Sequence, residues 1–211
     1  MDGNNRYSKK KDISLYDSYS LGAKKILNLS NFIFNNFNTR IISAFGLSNN
    51  NTKRSDRLIK VLIKVLEQFL DDNNFNYKIN FNIIFKGDLS FFSKKTNLKI
   101  KNFQKQNNKY SKSLVIYLNY SGRIDIIKAA TKYNFKKIDN NKFRLLLSTM
   151  EFPDPDILIR TGGYNRISDF FLFQISFTEL FFIKKLWPEL SRSDIKNIIS
   201  KFSNIERKFG F

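Results

Sequence analysis

Hydrophobic residues recur along the chain with two different periods. Between residues 19 and 37, Leu21, Ile26, Leu29 and Ile33 follow helical spacing, which predicts an amphipathic helix. A second helix is predicted behind Ser55, whose hydroxyl suits an N-cap. There Leu58, Leu62, Leu66 and Phe69 make one apolar stripe. Over residues 77–85 the period falls to two, and Ile79, Phe81, Ile83 and Phe85 share one face of a predicted strand that Gly87-Asp88 ends. Residues 39–45 read as a short buried strand. Residues 114–118 are an unbroken apolar run of the kind parallel sheets bury on both faces. A Lys-rich helix is expected within 90–110, another from about 123 to 133 and a short one over 141–149. Residues 157–159 form the next strand, and Ser191-x-x-Asp194 spells a capping box for a last helix. Residues 1–12 read as a polar loop. Strands alternating with helices predict one α/β domain over residues 1–211, with a largely parallel central sheet flanked by helices. Ligands of such sheets sit at the carboxyl ends of the strands, where three polar loops fall: 48–54, 119–123 and 160–168.

Composition narrows the chemistry. Hydrophobic residues are 42% of the chain and aromatics 16%, so global disorder is excluded. The absence of cysteine removes disulfides and thiolate metal sites, which fits a reducing compartment. The absence of histidine removes the commonest general base and metal ligand. Acid–base or metal chemistry therefore falls to Asp, Glu, Tyr, Lys or water. The net charge of +19 is compatible with nucleic acid, with anionic lipid or phosphorylated substrates, or with the drift of an AT-biased coding sequence. The lysines are scattered rather than clustered, which weakens the nucleic-acid reading. No signal peptide is visible. The longest apolar run, 170–183, contains Gln174 and Glu179 and is too short to span a bilayer. A cytoplasmic protein is expected.

The run 154–169 carries the most specific signal. Ile157-Leu158-Ile159 ends in Arg160-Thr161-Gly162-Gly163, followed by Arg166 and Ser168. Glycines let backbone N–H groups approach an anion, and arginine grips phosphate oxygens with paired hydrogen bonds. An ordinary strand–turn with solvated arginines fits the same residues.

The order of motifs resembles the cis-prenyltransferases of the undecaprenyl diphosphate synthase type. Met1-Asp2-Gly3-Asn4-Asn5-Arg6-Tyr7 is similar to that family's Met-Asp-Gly-Asn-Gly-Arg-Trp. Residues 48–54 align with its Ser-x-Glu-Asn-Trp-x-Arg loop. Gly87-Asp88-Leu89, Asn119-Tyr120-Ser121-Gly122-Arg123 and Arg160-Thr161-Gly162-Gly163-x-x-Arg166-Ile167-Ser168 match three further signatures. Glu179, Leu186-Trp187-Pro188 and Glu206-Arg207-Lys208-Phe209-Gly210 complete the order over essentially the whole chain. The resemblance implies a Mg²⁺-dependent enzyme that condenses isopentenyl diphosphate onto an allylic diphosphate such as farnesyl diphosphate, with an apolar tunnel for the growing chain. It implies undecaprenyl diphosphate as product, a lipid carrier for cell-wall glycans, and a homodimer. Peripheral contact with the membrane would come through the lipid product, and no nucleic-acid partner is expected.

By the same resemblance Asp2 and Asn51 are catalytic, and Gly3, Asn4, Arg6, Tyr7 and Arg54 bind the allylic diphosphate. Arg160, Arg166 and Ser168 bind isopentenyl diphosphate, and Asp2 and Glu179 associate with the metal. The helices around 19–37 and 55–73 are the expected tunnel walls. The chain departs from the pattern at several places. Leu15 and Tyr19 replace an Arg and a His, Asn50 an acid, Thr52 a Trp and Asn5 a Gly. Tyr164 replaces an acid, Asn165 a His and Lys208 an Arg. The strand that precedes the first motif in the family is missing, so either translation starts upstream or the sheet has lost a strand. A catalytically degenerate subunit that scaffolds or activates another prenyltransferase is the alternative reading, and a basic nucleic-acid-binding protein a remote third.

Overall fold

Parallel β-strands carry the fold. The computed structural model describes residues 1–50, 56–71, 79–106, 109–133 and 139–208. Along the chain run α1 (Asn4–Lys11), α2 (Leu15–Asn36), β1 (Ile41–Phe45), α3 (Asp56–Asp71), β2 (Asn82–Gly87), α4 (Lys94–Gln106), β3 (Ser113–Leu118), α5 (Gly122–Lys132), α6 (Asn140–Arg144), β4 (Ile157–Arg160), β5 (Glu179–Phe182) and α7 (Arg192–Ser203). Among the described residues the strands form two sheets, β1-β3-β2 and β4-β5, and every pairing is parallel. The α/β class with parallel strands and flanking helices is as the sequence predicts. β3 is central, and all six of its residues are buried. That is why its sequence is apolar without alternation.

Helices cover the three-stranded sheet. Phe34 and Leu27 from α2, Phe81 and Ile83 at β2, Ile100 from α4 and Leu114 from β3 are all at most 2% exposed. Each such side chain stabilises the fold by about 1.5–3 kcal/mol through burial. A second cluster joins Val115, Tyr117, Tyr120 and Phe171, with Phe170 stacked on Phe45 at 4.5 Å.

Three local expectations are corrected. Residues 1–12 hold a helix, α1, rather than a loop. It carries almost no apolar residue, so periodicity could not reveal it. Tertiary hydrogen bonds hold it: Ser18 Oγ donates to the Asn4 carbonyl (2.7 Å), and Lys10 Nζ donates to Glu189 Oε1 (2.6 Å). The helix predicted over 141–149 stops at Arg144 and becomes turns, because Asp125 Oδ1 draws in the Ser148 N–H (2.9 Å) and Gln174 donates to the Thr149 hydroxyl (2.6 Å). The ladder of β2 starts at Asn82, not at 77. Phe81 keeps the alternating face, since it is only 1% exposed. Residues 77–78 and the cap Ser55 lie outside the described residues.

A cavity of about 1480 Å³ lies against this framework. Ile26 and Leu29 of α2, Leu62 and Leu66 of α3, Ile42 of β1 and Ile159 of β4 line it. The apolar faces of the two predicted helices thus form its wall, as expected for a tunnel. Asp2, Arg6, Arg160 and Ser168 also line it and give it a polar end.

Candidate active site

The site assembles where β4 ends. Arg160 is the last residue of that strand, and its side chain is 12% exposed. Its guanidinium donates to Asp2 Oδ2 at 3.0 Å and to Ser168 Oγ at 2.7 Å, and it also bonds the Arg166 carbonyl. Arg6 Nη2 reaches Asp2 Oδ1 at 3.5 Å. One carboxylate, two guanidinium groups and one hydroxyl are therefore connected, although Asp2 and Arg160 are 158 positions apart in sequence.

The backbone around Asp2 is fixed from several directions. The Thr161 hydroxyl accepts from the Asp2 N–H (3.1 Å) and donates to the Asp2 carbonyl (3.0 Å). The Trp187 N–H donates to the same carbonyl (2.9 Å), and Trp187 Nε1 donates to the Gly22 carbonyl (3.0 Å). Gly3 then takes a left-handed φ of +113° and starts α1, whose amino end lines the cavity. Asn4 is buried, with Nδ2 donating to the Met1 carbonyl at 3.5 Å. Asn5 is an ordinary helical residue within α1, so the glycine expected there is not needed for its φ.

The glycines after Arg160 act differently from the expectation. The Gly162 N–H donates to the Lys185 carbonyl (2.8 Å), and that of Gly163 to the Ile183 carbonyl (2.9 Å). Both groups are spent on the chain that follows β5 and do not face an anion. What Gly162 supplies is space. At φ +92°, a Cβ there would lie 2.4 Å from Arg6 Nη2 and 3.2 Å from Asp2 Cγ.

The Asn119–Arg123 motif serves as an anchor for this loop. Ser121 Oγ donates to Asp169 Oδ2 (2.5 Å), and the Arg123 N–H to Asp169 Oδ1 (2.9 Å). The Gly122 N–H donates to the Asp169 carbonyl (2.8 Å). Asp169 thus ties the amino end of α5 to the loop that carries Ser168. Tyr120 Oη donates to Asp125 Oδ2 at 3.2 Å. Burial, followed by the Asp125 charge, raises the Tyr120 phenol well above its ordinary value and keeps it a neutral donor.

Of the residues expected from the sequence, the structure brings together Asp2, Gly3, Asn4, Arg6, Arg160, Arg166 and Ser168. Tyr7 is half-buried on α1 and is not in the cavity wall. Glu179 opens β5 opposite Ile157, while Phe182 stands opposite Arg160. That places Glu179 about 10 Å along the strand from the level of Arg160, and the fold does not bring it to Asp2 of its own chain. Asn51 and Arg54 lie outside the described residues. Thr161, Asp169 and Trp187 were missed as positioning residues. Thr161 and Trp187 lie inside the recognised motifs and Asp169 directly follows one, but nothing in residue type says which partner each will hold.

A hard cation is compatible with Asp2. Among the described residues no group of three or more acidic side chains gathers as a ready-made metal cage. Mg²⁺ needs none, since it commonly uses one or two carboxylates and completes its shell with water and substrate phosphate oxygens.

Comparison with known proteins agrees with this geometry. Residues 1–210 match the family model described as "Putative undecaprenyl diphosphate synthase". A tritrans,polycis-undecaprenyl-diphosphate synthase (geranylgeranyl-diphosphate specific) of Pyrobaculum aerophilum is 32% identical over 225 residues, covering 99% of this chain and 92% of that protein. An isoprenyl transferase of Helicobacter pylori is 32% identical over 223 residues, covering 100% of this chain and 94% of that one. The crystal structure of lavandulyl diphosphate synthase from Lavandula x intermedia, in complex with dimethylallyl diphosphate, superposes with a TM-score of 0.90 at 25% identity, over 100% of this chain and 95% of that chain. With its motifs, parallel-stranded fold and matching relatives, the chain belongs to the undecaprenyl diphosphate synthase family and is a cis-prenyltransferase, a transferase of isoprenoid biosynthesis.

Proposed function

We propose that the chain condenses isopentenyl diphosphate onto an allylic diphosphate such as farnesyl diphosphate, giving a Z-configured polyprenyl diphosphate. The observation that carries this reading is the cluster of Asp2, Arg6, Arg160 and Ser168 at one end of a large apolar cavity. A prenyl diphosphate is an anion joined to a hydrocarbon, and the site offers a partner for each half.

In the reaction the allylic C–O bond breaks, and its electron pair leaves with the diphosphate. The isopentenyl double bond attacks the allylic carbon, and a proton is then lost from the isopentenyl unit. Charge builds on the leaving oxygen, so fixed donors aimed at it are the main source of rate. Gly3, Asn4 and Arg6 hold the allylic diphosphate at the amino end of α1, where N–H groups and the helix dipole favour an anion. Arg160, Arg166 and Ser168 hold isopentenyl diphosphate. Asn51 and Arg54 keep the polar roles that the family resemblance gives them. Asp2 would hold Mg²⁺ together with diphosphate oxygens; when bound, the ion neutralises the leaving group.

The reading extends to an undecaprenyl-length product, a lipid carrier for cell-wall glycans, made by a cytoplasmic enzyme that touches the membrane through that lipid. It is supported by the sequence between Asp88 and Leu114, which carries no long insertion. Among the described residues no helix is long and apolar enough to cross a membrane. It extends also to a homodimer meeting at the β5 face, where Phe177, Leu180 and Phe182 are 55%, 43% and 37% exposed. Glu179 lies on that same strand, so its metal-associated role belongs to this dimer proposal and to the site of a second copy.

The test is direct. Purified protein given farnesyl diphosphate, labelled isopentenyl diphosphate and Mg²⁺ makes long-chain product, sized by mass spectrometry after dephosphorylation. Asp2→Ala lowers turnover by about 10²–10³-fold. A folded dimer that makes no product overturns the reading in favour of a non-catalytic subunit.

A further inference from the structure

Three guanidinium groups surround one aromatic ring at the polar end of the cavity. The Tyr164 ring centroid lies 4.3 Å from the Arg166 guanidinium carbon, 5.0 Å from that of Arg6 and 5.7 Å from that of Arg160. All three distances are within the range of cation–π attraction. Two of the three charges, Arg6 and Arg160, pair with the one carboxylate of Asp2. Among the described residues Arg166 makes no ion pair. Arg6 stands on α1, while Arg160 and Arg166 flank the loop after β4, so the ring joins the two halves of the site.

The geometry points to Tyr164 as a positioning residue that gathers the three arginines for a prenyl diphosphate, an inference that rests on the function proposed above. The physical reason is which part of the guanidinium each partner uses. An aromatic ring takes the flat face, whereas a carboxylate takes the N–H edge. The family resemblance puts an acid at this position, and an acid would compete with diphosphate oxygens for those edges. The ring lowers the mutual repulsion of the arginines without occupying N–H edges, so the edge of Arg166 and those N–H groups of Arg6 and Arg160 not given to Asp2, Ser168 and the Arg166 carbonyl stay open to the ligand. Tyr164 is itself 42% exposed, so a substitution there opens no core cavity.

The probe is inorganic pyrophosphate, whose binding by calorimetry needs no turnover. Tyr164→Leu weakens pyrophosphate binding about tenfold, while Tyr164→Phe, which keeps the ring face, retains wild-type affinity. In the steady state Tyr164→Leu raises the KM for isopentenyl diphosphate by about the same factor and changes kcat less than about threefold. Equal affinity of wild type and Tyr164→Leu overturns the inference. So does a Tyr164→Phe variant as weak as Tyr164→Leu, because the hydroxyl rather than the ring would then matter. A wild-type protein that binds pyrophosphate yet makes no polyprenyl product sinks the proposed activity alone, since the comparison of variants still stands. Wild-type protein that binds no pyrophosphate overturns both.

Discussion

Gly162 shows how tightly single residues are constrained at this site. Its φ is +92°, and the space a Cβ would occupy is already filled by the Arg6 guanidinium. Gly162→Ala therefore meets two penalties, a left-handed backbone and a displaced arginine. The backbone penalty is about 1–2 kcal/mol. Displacing Arg6 removes a contact to Asp2, so activity is expected to fall at least about tenfold while the protein stays folded. Thermal unfolding and product formation on the same preparation check both parts. A fully active alanine variant would show that Arg6 does not need to sit over that glycine. At this scale the sequence was legible where chemistry follows from residue type, as for the arginines and Ser168. It was not legible where a group works through the fold. Nothing about Gly162 announces that its N–H is spent on Lys185 and that its missing side chain is what admits Arg6.

Elements tell a related story, and α1 is its sharpest case. The helix offers no apolar stripe, so periodicity reads it as a loop; contacts made from distant segments hold it in place. One of these runs through Glu189, in the short turn Trp187–Glu189 that follows β5. Glu189 Oε1 accepts from Lys10 of α1 (2.6 Å), and Oε2 accepts from the Leu186 N–H (3.0 Å). The Lys10 hydrogen bond, and next the Leu186 N–H, hold the Glu189 carboxyl below its ordinary value of 4.5. A depressed carboxylate stabilises the fold fully above the unfolded-state value, and that contribution is lost as pH falls below 4.5 through the folded-state value. Glu189→Gln is thus expected to cost about 0.5–1 kcal/mol at pH 7, with a smaller difference from wild type at pH 3, below the ordinary value. Urea unfolding at the two pH values measures it, and a gap that persists undiminished at low pH would rule out the charge as its source. β3, by contrast, was legible because burial on both faces demands an unbroken apolar run. β5 was hidden inside the run 170–183, since turns precede it and its exposed Leu180 and Phe182 give no inward–outward signal.

For the molecule as a whole, the consequential arrangement is a charged end and an apolar wall in one cavity. α2 leads into the amino end of β1 and α3 leaves its carboxyl end, so both helices run antiparallel to the strands. Their amino-terminal halves lie at the level of the site, and their later turns recede from it. A product growing from the diphosphate end must therefore pass Leu62 before it reaches Leu66 and Phe69, all of which line the cavity. Bulk at Leu62 should stop the chain early without touching the polar groups that do the chemistry. Leu62 is only partly buried and packs at the margin of the core, so Leu62→Trp avoids much of the overpacking cost of about 1–3 kcal/mol met at fully buried positions. The expected outcome is a shift of the product distribution to shorter prenyl chains, by several isoprene units, with consumption of isopentenyl diphosphate in the first condensations little changed. Mass spectrometry of the dephosphorylated products reads the distribution, and early time points read the rate. Unchanged chain length would mean that the hydrocarbon leaves by another route, and that the wall formed by α2 and α3 is core packing rather than a ruler. Shortening with a preserved early rate would assign the two ends of the cavity to their separate tasks, the arginine cluster to chemistry and the helical wall to length.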